Sequence, residues 1–190
     1  MNDKIDLRIV KTHNKLTAAL SEMMNEMPFG DITVFDLCEK ADVRRATFYK
    51  HFKDKYDFLK DVITNIIKDI TETVNSNEYL RSSPINYLVR FVNEVIAYFE
   101  SRPLILSNLL NSDNLPIMLK VISTCTYSAL VESLSDVKRS GCNFTSDVAF
   151  CSSFINGGIS NILIMWLKNP TCTKEELLAK IREMLTKIFS

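Results

Sequence analysis

From Ile9 to Ile188 the apolar residues of this chain recur at steps of three, four and seven, and that period belongs to the α-helix. Ile9, Leu16, Leu20, Met23 and Met27 mark one such stripe, and Pro28-Phe29-Gly30-Asp31 ends it. Only 4 Gly and 5 Pro occur in 190 residues, too few for the tight turns of an all-β chain. An apolar share of 46% and a charged share of 24% suit a globular chain with a sizeable core, so folding needs no disulfide or metal. The fold expected is all-α.

The helices differ in length along the chain. After the first stripe, Thr33 caps a short helix to Lys40, with Val34, Leu37 and Cys38 inward. Ala41-Asp42-Val43 is a three-residue turn, and a second short helix runs from about Arg44 to Phe52, with Phe48 and Phe52 on its inner side. Asp54 opens a longer helix striped by Leu59, Ile63, Ile66, Ile70 and Val74. Residues 75–81 form a polar loop, and Ser83-Pro84 pairs a cap with proline at the first helical position. Four further helices are expected: Arg102 to about Leu110, Leu115 to Arg139, Ser146 to Leu167, and one opened by the Thr173/Glu176 capping box and running to Phe189. The chain therefore divides near residue 53. A three-helix unit, 1–53, precedes a larger helical bundle, 54–190.

Two short helices joined by a three-residue turn, after a longer first helix, form the pattern of a helix-turn-helix DNA reader. Charge agrees with it. Between Arg44 and Lys55 stand Arg44, Arg45, Lys50, Lys53 and Lys55 against Asp54 alone, in a chain of net charge zero. A cationic run by itself describes any solvated face; beside the two-helix spacing it describes a face prepared for phosphate.

The stretch from Phe29 to Lys55, with Ile32-Thr33-Val34, Asp36-Leu37-Cys38-Glu39-Lys40-Ala41, Val43, then Thr47-Phe48-Tyr49, His51-Phe52 and Asp54-Lys55, resembles the DNA-binding domain of the TetR family of bacterial transcriptional regulators. With the first helix the resemblance covers about residues 10–60. It implies a DNA-binding regulator, a repressor in the common mode, that reads a near-palindromic operator as a homodimer and responds to a small effector in its C-terminal bundle. An activator of the same fold and a helical dimerising adaptor are the alternatives. Position by position, the resemblance implies that Thr33 caps its helix and bonds a phosphate. Arg45, Ala46 and Tyr49 face outward on the recognition helix, with Arg45 set against a guanine edge. Tyr49, His51 and Thr47 hold the backbone, as do Lys55 and Lys53; Arg44 and Lys50 add to the cationic face. Two departures stand out. The recognition helix opens on Arg44 where the family often has Ser or Asn, which leaves Asp42 or nothing as its cap. The family often has Arg at the place of His13-Asn14, where Arg8, Lys11 and Lys15 are the nearby candidates for a minor-groove arm.

In the bundle, the resemblance implies that the last two long helices form a four-helix seam with a second copy. Ile155, Ile159, Ile162, Trp166, Leu177, Ile181, Leu185 and Ile188 are its candidates, with the protomer's own core as the competing destination. Phe91, Tyr98, Met118, Ile122, Cys125, Tyr127, Phe154 and Met165 are candidates for an effector site, and their types favour a neutral or apolar ligand. Gly157-Gly158 inside an apolar helix costs about 1 kcal/mol per Gly, which suggests a close helix approach or a cavity wall.

Other chemistry has little to build on. Both histidines, His13 and His51, lie in the N-terminal third, so the bundle has none for a Cys–His or Ser–His pair or a His-bearing metal site. No Gly-rich phosphate loop occurs, and no catalysis, metal or cofactor is expected. The five cysteines, 38, 125, 142, 151 and 172, show no CxxC pair and read as buried small hydrophobes in a reducing cytoplasm. Polar residues interrupt the apolar stretches, so no membrane span is expected.

Overall fold

The computed structural model describes residues 7–76, 83–110, 115–139 and 147–189. Among the described residues every regular element is an α-helix. The order is α1 (Leu7–Glu26), α2 (Val34–Lys40), α3 (Arg45–His51), α4 (Lys55–Asn75), α5 (Pro84–Glu100), α6 (Pro103–Leu110), α7 (Leu115–Arg139), α8 (Val148–Lys168) and α9 (Lys174–Phe189).

The caps are local chemistry. Thr33 accepts from the Asp36 amide at 3.1 Å and opens α2; Ser83 accepts from the Asn86 amide at 3.3 Å and opens α5. Asp54 opens α4 by accepting from the Tyr56 and Asp57 amides, both at 2.8 Å, while Asp57 reaches back to the Lys53 amide at 3.0 Å. Thr173 and Glu176 exchange bonds of 3.0 and 3.2 Å, the reciprocal box expected of them. The cap of α8 is Asp147, whose carboxylate takes the Phe150 amide at 2.9 Å.

The chain forms two compact units. The first comprises Met1–Val62 and Arg102–Met118. Its core is Leu16, Leu20, Met23, Phe29, Ile32, Leu37, Phe48 and Phe58, joined by Ile105 and Leu109 of α6. α6 packs on α1, and Asn108 donates to the Met24 carbonyl at 2.8 Å near the end of α1. That carbonyl belongs to the last turn of α1, where helix carbonyls lack partners within the helix.

The second unit comprises Ile63–Ser101 and Leu119–Ser190. Its core gathers Val74, Tyr87, Leu88, Val92, Ile96, Leu134, Ile155, Leu177, Ile181 and Leu185. α9 lies on α5, fastened at its rim by Arg182 to Asn86 (2.6 Å) and Lys174 to Glu100 (2.8 Å). A buried polar link ties α7 to α8. Asn156 donates to the Ser123 carbonyl and hydroxyl at 3.0 and 2.9 Å and accepts from the Thr126 hydroxyl at 2.7 Å.

α8 is long and apolar enough to cross a membrane by length and composition. That differs from the sequence expectation. The residues that interrupt it, among them Ser152, Asn156 and Ser160, carry no charge, and the isoleucines, leucines and phenylalanines around them outweigh their polarity. Cys151, Ser152, Ile155, Asn156 and Leu163 are buried, while Phe150, Phe154, Ile162 and Met165 are exposed.

Candidate DNA interface

α2 and α3 are set by the turn between them. The Asp42 amide donates to the Glu39 carbonyl at 3.1 Å and the Val43 amide to the Cys38 carbonyl at 2.9 Å, a Schellman closure. Its left-handed residue is Asp42 at φ 52°, where glycine is the usual occupant. Asp42 is thereby committed to closing α2. Its carboxylate meets the Lys15 ammonium at 3.2 Å, and α3 starts on Arg44 with no side-chain cap.

α3 is held from beneath by rings. Phe48 is fully buried, with Phe52 at 5.4 Å and Phe58 at 5.8 Å between centroids, and Phe52 lies 4.9 Å from Phe58. His13 joins this cluster edge-on to Phe58 at 6.0 Å, and its Nε2 meets the Asp61 carboxylate at 2.5 Å. The imidazole thus ties α1 to α4. The expected arm residue Arg8 has a side chain outside the described residues, while Lys11 and Lys15 are exposed.

The opposite face of α3 is open to solvent. Arg44, Arg45, Ala46, Tyr49, Lys50, His51 and Lys53 are exposed, and Thr47 is partly buried. One short helix and its flanks therefore present cations, a phenol and an imidazole on the side away from Phe48. Thr33 is exposed at the α2 N-terminus, but its hydroxyl already donates to the Asp36 carboxylate at 2.5 Å while accepting the cap amide.

Lys55 is placed differently from its neighbours. Its ammonium donates to the carbonyls of Phe29 (3.2 Å), Gly30 (2.6 Å) and Ile32 (2.8 Å). It also lies over the Phe29 and Tyr56 rings at 5.1 and 5.6 Å. Burial pushes its pKa below the ordinary lysine value, against an upward pull from Asp31. The charge expected to meet a phosphate is engaged in pinning the α1–α2 turn to the start of α4.

The family model for bacterial regulatory proteins of the tetR type matches residues 16–62, the segment that contains this interface. Over residues 16–62 the chain carries the DNA-binding segment of the TetR family. The HTH-type transcriptional regulator YxbF of Bacillus subtilis is 33% identical over 81 residues, 40% of this chain and 21% of that protein. The dhaKLM operon transcriptional activator DhaS of Lactococcus lactis is 25% identical over 91 residues, 47% of each. The chain thus spans between a fifth and a half of the length of these curated relatives. A solved TetR-family structure from Syntrophomonas wolfei shares the fold at a TM-score of 0.68 and 16% identity, over 93% of both chains.

Elsewhere in the chain the expected residues scatter. Phe91 and Cys125 are buried, and Tyr98, Ile122 and Tyr127 are partly buried, in α5 and α7 of the second unit. The Met118 side chain lies outside the described residues. Phe154 and Met165 are 60% and 63% exposed and line no interior. Of the seam candidates, Ile155, Leu177, Ile181 and Leu185 are at most 5% exposed and belong to the protomer's own core. Ile162 is exposed; Ile159, Trp166 and Ile188 are partly buried. The Trp166 indole N–H donates to the Cys172 carbonyl at 2.8 Å and closes the α8–α9 connection. Cys38, Cys125, Cys151 and Cys172 are free thiols, and Cys142 lies outside the described residues. Among the described residues, no group of three or more His, Cys, Asp or Glu side chains is arranged to hold a metal ion.

Sequence reasoning passed over Phe35. The signal was present. Val34, Leu37 and Cys38 account for the inner side of α2, so a phenylalanine at 35 is left for the outer side.

Proposed function

We propose that this chain is a homodimeric DNA-binding transcriptional regulator. It acts as a repressor on a near-palindromic operator, and a small neutral or apolar effector in the bundle releases or modulates it. The observation that carries this reading is the outer face of α3, where Arg44, Arg45, Lys50 and Lys53 are exposed together on a helix-turn-helix matching the family model. Cations set against phosphates release counterions, which supplies affinity for any duplex. A base edge met by Arg45, with Ala46 beside it on the outward face, supplies the sequence preference, while Tyr49, His51 and Thr47 hold the backbone. The working division is a DNA head of residues 1–53 and an effector and dimer portion of residues 54–190, with α6 folding against the head.

Two half-sites about 34–36 Å apart require two heads related by a twofold axis. The surface favoured for that contact is the outer side of α8. Phe150, Phe154, Ile162 and Met165 form an exposed stripe about 22 Å long at 1.5 Å per residue. A Cβ built at Gly157 or Gly158 meets no atom within 4 Å, so the middle of the stripe leaves room for a second helix. With Ile155, Leu177, Ile181 and Leu185 internal, this seam retains only the outward part of the sequence candidates. An isologous contact of this kind also covers the apolar residues that give α8 its membrane-like composition.

The effector reading rests on Phe91, Tyr98, Ile122, Cys125 and Tyr127, none of which is an Asp, Glu, Lys or Arg. α4 spans residues 55–62 of one unit and 63–75 of the other, so it is the element through which an effector would bias the spacing of the heads. An activator is the second reading, favoured by the name of the Lactococcus lactis relative.

Selection of bound fragments from random duplex DNA at two salt concentrations tests this. A palindromic consensus bound less tightly at higher salt is the expected result. Transcription from a promoter carrying that consensus then falls for a repressor and rises for an activator. A dimer that selects no sequence at either salt overturns the regulator in favour of the adaptor.

A further inference from the structure

Phe35 is 53% exposed on the first turn of α2, in a chain whose Phe29, Phe48 and Phe58 are fully buried. The Arg45 guanidinium carbon lies 5.5 Å from the centroid of its ring, inside the range of a cation–π contact. Arg45 is the first residue of α3. Ring and guanidinium therefore join the two motif helices on their outer side, opposite the Phe48 core. Among the described residues no ion pair holds Arg45. The guanidinium charge also reaches the Cys38 thiol on α2, whose pKa burial raises and Arg45 lowers.

An arginine side chain has many rotamers, and reading a guanine requires nearly one of them. Both acceptors, O6 and N7, must be met by two N–H donors of one planar group. A ring held against that group restricts its rotamers while no ion pair among the described residues occupies its N–H donors.

We propose that Phe35 is a positioning residue that holds the Arg45 guanidinium ready for a bidentate contact with one guanine in each half-site. This rests on the DNA-binding reading above. Phe35 acts through Arg45 and not by its own contact with a base.

The test is selection from random duplex DNA with the full chain, followed by affinity measurements on the selected site and on the same site with adenine in place of the guanine. The native chain is compared with Phe35→Leu, Phe35→Tyr, Arg45→Ala and the Phe35→Leu/Arg45→Ala double variant. Leucine keeps an apolar side chain able to meet a thymine methyl group but has no π-face. Expected is a guanine at one position, a preference lost in Arg45→Ala. Phe35→Leu lowers that preference about two- to fivefold, while affinity for random DNA and its salt dependence stay as in the native chain. Phe35→Tyr retains the preference, and Phe35→Leu has no further effect once Arg45 is alanine. Melting curves check that the variants fold. A native consensus whose guanine preference is unmoved by Phe35→Leu overturns the inference and leaves the DNA reading standing. So does an equal effect of Phe35→Leu with and without Arg45. A native chain that selects no consensus overturns both.

Discussion

Replacing Lys55 by methionine separates two roles that one ammonium cannot fill equally. Methionine keeps most of the apolar stem and removes the charge. In the native chain the ammonium supplies donors to the carbonyls of Phe29, Gly30 and Ile32 at 2.6–3.2 Å. A hydrogen bond to a charged partner contributes about 1.5–3 kcal/mol net. Three bonds from one ammonium do not triple that, and water reaches part of this half-buried site. The Phe29 and Tyr56 faces add about 0.5–1 kcal/mol. Burial of the ammonium, which lowers its pKa, offsets part of this gain, so the expected loss is about 1–2 kcal/mol in the stability of the first unit, a fall in its melting temperature of about 5–10 °C. Circular dichroism melts of the two proteins measure it. Arginine should restore only part of the loss, because its planar fork does not match three converging carbonyls. DNA affinity measured on the folded variant against salt gives the second readout. A staple leaves the salt slope unchanged, whereas loss of a phosphate contact lowers it by about one. An unchanged melt with a lowered slope would refute the staple and return Lys55 to the phosphate contacts.

Asp42→Gly removes a left-handed non-glycine residue and should stabilise the first unit by about 0.5–1 kcal/mol. The lost pair with Lys15 is exposed and worth little, so a lower melting temperature would show that the turn is not strained. Tyr87 is buried against Ser133 at 2.7 Å, and burial raises its pKa above the ordinary 10.0. Its contribution is fully present below about pH 10, where the unfolded phenol is also neutral, and is lost as pH rises from there through the raised folded value. Denaturant titrations at pH 8 and above pH 10 should therefore show a steeper alkaline loss for the native chain than for Tyr87→Phe, and parallel losses would contradict this. Phe154→Glu combined with Met165→Glu places charge on the outer stripe of α8 and should give monomers in sedimentation with an unchanged melt of the monomer fold; a surviving dimer would move the seam elsewhere.

The helices and most of their caps were legible because they depend on neighbours in sequence. Thr33, Ser83 and the Thr173/Glu176 box cap the helices they were expected to cap, since an N-cap needs only an oxygen two or three residues from a free amide. The cationic face of α3 was legible for the same reason: with Phe48 inward, its neighbours at 46, 49 and 50 point outward, and Arg45 is exposed as the first residue of the helix. Lys55 was not. Nothing local says whether a lysine at a helix start meets solvent, a phosphate or three carbonyls 23 to 26 residues earlier in the chain. Nor does the stripe of α6 say that it packs on α1, some 80 residues earlier.

The bundle shows the limit of periodicity most sharply. Leu177, Ile181 and Leu185 make the same four-residue stripe whether they cover the protomer's own core or a second copy, because burial has one signature in sequence and does not name its partner. What distinguishes the two here is the number of apolar faces a helix carries. α9 has one strong stripe, and α5 covers it, leaving Met184 as its exposed large apolar residue. α8 has two. Cys151, Ile155 and Leu163 turn inward beside Asn156, and Phe150, Phe154, Ile162 and Met165 turn outward. A helix with a single apolar face is completed by its own protomer. A helix apolar on both sides leaves one face that its own protomer does not cover, which is why the proposed seam lies on the second face of α8.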